Sequence, residues 1–226
     1  MTESEAIVAR HSVRKYLDKP IEAEKITAIQ ECINLCNREG DVHFQLVTDE
    51  PKAFKGSGVA MYGKFENIIN YIAIVAPKGS AGDEAAGYYG EKVVLLIQML
   101  GLNSCWVGLT FKKVKEAYSI ANGEELKAVI ALGYGAIQGT QHPQKKTFTD
   151  VAKAQNPVPE WFKKGVEVAL LAPTAVNQQK FMFILHEGNR VEAKAKFSLV
   201  GYKDLDLGIA KYHFEIGAGK KNFKFV

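Results

Sequence analysis

The chain has 226 residues, 47% of them hydrophobic and 24% charged, a mix that excludes intrinsic disorder and allows one large domain or two small ones sharing a core. Its net charge of +4, from 29 basic and 25 acidic residues, is too small and too dispersed for a dedicated nucleic-acid surface. No apolar run reaches the ~18 to 20 residues that a bilayer span needs, so neither nucleic acid nor membrane is expected as a partner.

In chain order, residues 3–10 read as a short helix ending at a basic cluster. From Glu22 to Cys36 the apolar residues Ile26, Ile29, Ile33 and Cys36 recur at three- and four-residue steps, which predicts an amphipathic helix. "HFQLVT" and "NYIAIVAP" predict strands, the second with a continuous apolar centre stopped by Pro77, and "SGVAMYGKFENI" between them reads as loop and turn. Gly87 to Leu100 is apolar nearly all round, a buried helix, followed by "SCWVG" as a tight connecting segment. Val114 to Ala121 reads as helical and "LKAVIALGYG" as a third buried strand. The polar, turn-rich stretch around 139–156 marks a boundary. Beyond it come a helix from Glu160 to Leu171 halted by Pro173, a strand at "FMFILHEG", a helix from Asp206 to Ala218 and a closing strand at "KNFKFV".

An odd cysteine count (Cys32, Cys36, Cys105), with no signal peptide at the start, predicts a reducing, cytoplasmic setting. Cys32 and Cys36 share a helix face with no further ligand at metal spacing, so they are expected as small core residues and no metal site is expected. His43, His142, His186 and His213 have no mutual spacing that builds a triad or metal centre, and each is expected to be structural or on the surface. There is no P-loop, no His-Glu-x-x-His, no G-x-S-x-G elbow, and "GYGAIQG" has the wrong glycine spacing for a dinucleotide fingerprint.

The chain compares with itself in two places. "INLCNREGDVHFQLV" (33–47) lies without gaps on "LLAPTAVNQQKFMFI" (170–184), and "GEKVVLLIQMLG" (90–101) on "GIAKYHFEIGAG" (208–219). Identity is slight, but the order helix, loop, strand, helix occurs twice, which points to two related halves with the second abbreviated.

Three stretches can carry chemistry. In "RHSVR", Arg10 and Arg14 flank the Ser12 hydroxyl; in a helix they lie one turn apart on one side, suited to bidentate contact with a phosphate ester. Taken singly, such a cluster is more often a solvated helix face. "LLAPTAVNQQKF" (170–181) puts small residues and the Asn177 amide between a helix and a strand, where backbone can approach a flat ligand and an amide can read its donor and acceptor edges; alone it is an ordinary connector. "GLNSCWVGLTF" (101–111) places Trp106 two residues before Gly108, as if backbone bends near a large planar group; alone it is a core tryptophan beside a turn.

Together, "RHSVRKY", "GLNSCWVG", the strand "ALGYG" and "APTAVNQQ" resemble the nitroreductase family of FMN-dependent oxidoreductases, whose pattern has an R-x-S-x-R element, a G-L-G-S-x-W-x-G turn, a G-Y strand followed by basic residues, and an A-P-S-x-x-N-x-Q-P-W loop. In most of that family the loop soon follows the first element and each FMN lies between two subunits. Here the loop comes in the second half, so the chain is similar to the small group of nitroreductases built as a fused pair: residues 1–150 keep the phosphate element and 151–226 the flavin-ring loop. The resemblance implies an α+β fold, a mixed sheet flanked by helices, with the two halves forming a pseudo-dimer within one chain that can act as a monomer. It implies that Arg10, Ser12 and Arg14, with the backbone of His11, hold the FMN phosphate and ribityl chain, that Lys145 and Lys146 add charge, and that Pro173, Thr174, Ala175 and Asn177 line the ring. Trp106, Val107, Gly108 and Leu109 would lie at the flavin, with a backbone N–H of Gly108 or Leu109 aimed at its reactive nitrogen. It further implies NAD(P)H as transient donor and a small nitroaromatic or quinone-like acceptor, reduced by ping-pong hydride transfer without a catalytic side chain. The alternatives are a non-catalytic FMN-binding or storage protein, a dehalogenase or ene-type reductase on the same scaffold, and a decayed site that holds no flavin. Lys180-Phe181 in place of Pro-Trp, and Asn103 in place of a glycine, are departures from the pattern; nothing in 151–226 repeats R-x-S-x-R, so one flavin site per chain is expected.

Overall fold

The computed structural model describes residues 1–55, 65–140 and 144–226. Most of the expected loop at 57–68 and His142 lie outside the described residues. The elements are α1 (Glu3–Ala9), α2 (Ala23–Gly40), β1 (His43–Val47), β2 (Tyr71–Pro77), α3 (Ser80–Met99), β3 (Asn103–Val107), β4 (Glu124–Gly133), α4 (Phe148–Val151), β5 (Ala152–Lys153), α5 (Glu160–Ala169), β6 (Phe181–His186), β7 (Arg190–Ala195), α6 (Lys203–Ala218) and β8 (Lys224–Phe225).

The fold is α+β as expected, and among the described residues its strands form two sheets rather than the one mixed sheet expected. The first, ordered β1-β2-β4-β3, is antiparallel throughout and comes from residues 43–133. The second, ordered β5-β6-β7-β8, is mixed: β5 and β8 run parallel to their neighbours on either side of the antiparallel β6–β7 hairpin. The continuous apolar run of "YIAIVA" is explained by β2, which is buried from Tyr71 to Ala76 between two paired strands.

The helices obey their sequence signals at the ends. Thr2 and Glu5 form a reciprocal capping box at the start of α1. The helix α2 runs four residues beyond Cys36 to Gly40 and stops where Asp41 turns left-handed at φ 48°. Ile29, Ile33 and Cys36 are the buried face of α2. The helix α3 starts at Ser80, seven residues before the expected Gly87, because Gly82, Ala86, Gly87 and Gly90 are small side chains on a buried face rather than a loop.

Two expectations are corrected. "SCWVG" is not a connector but the strand β3, antiparallel to β4 from Asn103↔Gly133 to Val107↔Val129. Residues 114–121 are not a helix: one turn closes from Ala117 to Val114, and the side-chain amide of Gln45 then pairs with the backbone of Ser119 in both directions, at 2.8 Å each, holding the chain open as a strand partner would. The strand β7 has no counterpart among the expected elements, since "RVEAKA" lacks strong alternation; its signal was the Gly188-Asn189 turn, both residues at positive φ, that reverses the chain after β6.

The two sheets are joined by the crossing of α3 and α6. A Cβ on Gly87 would stand 2.0 Å from the Leu205 carbonyl oxygen, and one on Gly208 would stand 2.0 Å from that of Glu84. Gly87 faces Leu205 and Ile209, and Gly208 faces Glu84 and Tyr88, so each glycine meets the residues three before and one after the other. The contact is self-complementary in the manner of a two-fold interface. It pairs Gly208 with Gly87, three residues from the Gly90 that the sequence comparison laid on it. An aromatic core of Phe162, Phe181, Phe183 and Phe214 fills the second half, with Phe183 and Phe214 stacked at 4.5 Å.

Gly87→Ala is expected to lower stability by about 3 kcal/mol, the upper range for overpacking, because its Cβ meets backbone rather than a side chain that can swing aside. Urea unfolding of the variant and of an exposed-face alanine control on α3 measures this; equal midpoints would contradict the crossing.

Candidate functional site

The segment after α1 does not continue as a helix. Arg10 turns extended (φ −71°, ψ 135°), and residues 12–17 run alongside β3 and the end of β4: Ser12 bridges Ser104, Val13 N–H donates to the Ser104 carbonyl at 3.1 Å, and Leu17 N–H to that of Tyr134 at 2.8 Å. In extended chain, side chains alternate with a period of two. Val13 therefore enters the core while Arg10, Ser12 and Arg14 share the other side, which corrects the one-turn helical spacing and spreads the three along the cavity wall. Gly139 lies so near that a Cβ would meet the His11 Cβ at 2.6 Å, which fixes the chain after β4 over this segment.

The loop between α5 and β6 is held by its own polar groups. Gln179 N–H donates to the Thr174 hydroxyl at 3.0 Å, and the buried Gln179 amide donates to the Leu170 carbonyl at 2.8 Å. Val176, Asn177 and Gln179 all have positive φ, at 48°, 53° and 47°. For a β-branched valine this is strained backbone that the surroundings must enforce. The enforcing group is Asp206 on α6. Its carboxylate accepts from Ala175 N–H at 2.9 Å and from the Gln178 amide at 2.7 Å.

These segments enclose one cavity of about 660 Å³. Arg10, His11, Ser12 and Arg14 line it from the N-terminal segment, Trp106, Val107, Gly108 and Leu109 from the end of β3, and Pro173, Thr174, Ala175 and Asn177 from the α5–β6 loop. Lys145 lines it too, with its ammonium 3.4 Å from the Val176 carbonyl. Lys146 is the one candidate residue that does not: its charge falls beside Lys196 and Asp150, away from the cavity.

The cavity is electropositive. Arg10, Arg14 and Lys145 face one carboxyl, that of Asp206. Among the described residues neither Arg10 nor Arg14 has a carboxylate at ion-pair distance, and the Arg10 Nε is buried without a hydrogen-bond partner. A buried guanidinium with an unused donor is costly unless an anion completes it. The residues present thus suit a phosphate at one end and a flat, hydrogen-bonding group along the loop.

Several lining residues had no sequence signal of their own. Asp206 and Tyr202 come from α6 and the turn before it. At Gly108 a Cβ would come within 2.6 Å of the Tyr202 ring, so the two pack closely at the cavity wall. Trp106 packs instead on Gly90, where a Cβ would stand 2.4 Å from the indole. Its N–H donates to Glu91 at 2.8 Å; the other Glu91 oxygen lies 2.9 Å from His213 Nε2, with both Glu91 and His213 fully buried. This chain of bonds ties the cavity wall to α3 and α6 and leaves His213 a satisfied structural histidine, as expected. Asn103, in place of a glycine, accepts from Gly135 N–H at 3.0 Å and donates to Gln138 at 3.0 Å, bracing the segment over the cations.

The family model described as "Putative TM nitroreductase" matches residues 3–218. Among solved structures, a "putative nitroreductase" from Thermotoga maritima is similar over 98% of this chain and 85% of its own, at 22% identity and TM-score 0.65. An FMN-dependent nitroreductase from Clostridium difficile R20291 is similar over 68% of this chain and 98% of its own, at 21% identity and TM-score 0.51. A protein of Desulfovibrio desulfuricans in complex with FMN, likewise described as a nitroreductase, is similar over 70% of this chain and 99% of its own, at 18% identity and TM-score 0.52. No curated protein matches the chain at a meaningful level.

Burial pushes the Asp206 carboxyl up to about 7, against the opposing pull of Ala175 N–H and Gln178. Unfolded, this group ionises near the ordinary value of about 4. Between those values the native state holds a proton that the unfolded state has lost, so stability falls as pH rises through about 4 to 7. Asp206→Asn is expected to remove this component, up to about 4 kcal/mol over the window. Urea unfolding of both proteins from pH 4 to 8 reads the difference in slope, and parallel profiles would overturn the assignment.

Proposed function

We propose a flavin oxidoreductase function for this chain, which belongs to the nitroreductase family matched above: it binds FMN in the cavity and passes reducing equivalents from NAD(P)H to a small nitroaromatic or quinone-like acceptor. The observation that carries this reading is that Arg10 and Arg14, near the start of the chain, line the same cavity as the Pro173–Asn177 loop. A buried Arg10 Nε with no partner of its own supports an anion there.

In this reading the two guanidinium forks and the Ser12 hydroxyl hold the phosphate, and Lys145 adds charge at the cavity edge. The Asp206 carboxylate keeps Ala175 and Gln178 in place, so that the loop presents its backbone and the Asn177 amide to the ring edge. Trp106, fixed by Glu91, and Gly108 form the facing wall, with the Gly108 or Leu109 N–H directed at the ring. FMN, when bound, supplies the hydride chemistry. The side chains bind, orient and exclude water; protons can come from solvent. Donor and acceptor would take turns at one open face, so a ping-pong pattern is expected. One flavin site per chain follows from the single pair of arginines, with the fused halves supplying both of its walls.

The double variant Arg10→Ala/Arg14→Ala is expected to weaken FMN binding by about hundredfold or more, since each charge-assisted hydrogen bond contributes about 1.5–3 kcal/mol. Quenching of FMN fluorescence on titration measures it, and unchanged affinity would end the phosphate assignment. NAD(P)H oxidation with menadione and with a nitrofuran tests turnover. FMN binding without turnover on either would leave a flavin-storage protein instead.

A further inference from the structure

The loop that links β7 to α6 carries two large apolar side chains almost wholly in solvent: Phe197 is 78% exposed and Leu199 92% exposed. Val200, beside them, is also exposed. Single exposed apolar residues are ordinary; three in four consecutive positions on one loop tip are not.

The same place is strongly basic. The charges of Lys146, Lys180 and Lys153 all act on Lys196, the residue immediately before Phe197. Lys196 N–H donates to the Lys180 carbonyl at 2.7 Å, which continues the β6–β7 ladder and sets the two lysines side by side. Among the described residues none of these four lysines has a carboxylate at ion-pair distance, although Lys194 and Lys203, on either side of the loop, do. The nearby acid is Asp150, and its carboxylate is engaged by the Thr147 N–H at 2.8 Å and the Thr147 hydroxyl at 2.9 Å. Lys196 reaches only the Asp150 backbone carbonyl, at 2.6 Å. Burial and the neighbouring lysines hold its ammonium below its ordinary range, so an external anion at this patch would relieve repulsion.

We propose that the Phe197–Val200 loop and the cluster Lys146, Lys153, Lys180 and Lys196 form a peripheral docking surface for an anionic phospholipid bilayer. An apolar tip entering the headgroup boundary and lysines meeting anionic lipid are the two signals that reversible bilayer attachment needs together. The arrangement requires no span, and among the described residues no helix is long and apolar enough to cross a membrane. A second copy of the chain fits less well, because identical basic patches would face one another. Val200 and Tyr202 also line the cavity, and the Gln178 amide donates to the Gly201 carbonyl at 3.1 Å, so attachment sets the cavity mouth at the bilayer surface.

The test is flotation of the full chain with vesicles of phosphatidylcholine alone or mixed with phosphatidylglycerol, at low and at physiological salt. Binding is expected to the mixed vesicles, weakened by salt, and not to phosphatidylcholine alone. Phe197→Ser with Leu199→Ser is expected to lose about tenfold or more in partitioning with an unchanged circular-dichroism spectrum and melting temperature. Lys146→Gln with Lys153→Gln is expected to weaken binding and flatten its salt dependence. No flotation at low salt, or flotation unaffected by the serine pair, overturns the proposal. So does sedimentation showing a dimer that the serine pair abolishes, with no lipid binding. None of these readouts depends on the bound cofactor, so they fail or succeed independently of the flavin reading.

Discussion

Helices α3 and α6 cross at backbone contact because Gly87 and Gly208 carry no Cβ, and the rest of the molecule is arranged around that contact. With any side chain at either position the helices would stand apart by the width of at least a methyl group, and the two sheets with them. The cavity lies where elements of both sheets meet: the N-terminal segment and β3 on one side, the α5–β6 loop and the start of α6 on the other. Helix packing thus sets the distance between a pair of guanidinium groups and the loop opposite them.

The polar groups around the crossing convert that distance into a fixed geometry. Asp206, two residues before Gly208, holds the strained turn at Ala175–Gln178. Glu91, four residues after Gly87, joins Trp106 to His213. Both carboxyls are buried, and each is tolerated because its oxygens meet N–H donors. The cations show the opposite pattern: Arg10 and Arg14 stand on either side of the Ser12–Val13 pairing with β3, Arg10 N–H bonding back to the Ala6 carbonyl and the Arg14 carbonyl accepting from Glu66 N–H, and their side chains line the cavity. A site whose two buried carboxyls are satisfied within the protein while the buried Arg10 Nε is not suits an anion.

Much of this was legible in the sequence for identifiable reasons. The helices α2, α5 and α6 announce themselves through apolar residues at helical spacing, and β2 and β4 through short apolar runs bounded by Pro77 and Gly133. What failed did so where local pattern and tertiary pairing disagree. The strand β3 carries no strand signal of its own because "NSCWV" mixes polar and apolar residues, and only its register with β4 makes it a strand. Residues 114–121 have helical composition but are opened by the Gln45 amide. Of the candidate site residues, Lys146 was grouped with Lys145 on charge alone, and neighbours in sequence at this turn part company in space.

The sequence by itself determined the residue types that came to line the cavity, a pair of arginines about a serine and a small-residue loop ending in asparagine, because those depend on local chemistry. It also determined most of the regular elements, because periodicity is local. The tertiary structure decided that Arg10, Ser12 and Arg14 share a side through extended rather than helical backbone, that Asp206 and Tyr202 complete the cavity, and that the crossing pairs Gly87 with Gly208. Each of these follows from which distant backbone a segment lies against, and no window of neighbouring residues carries that information.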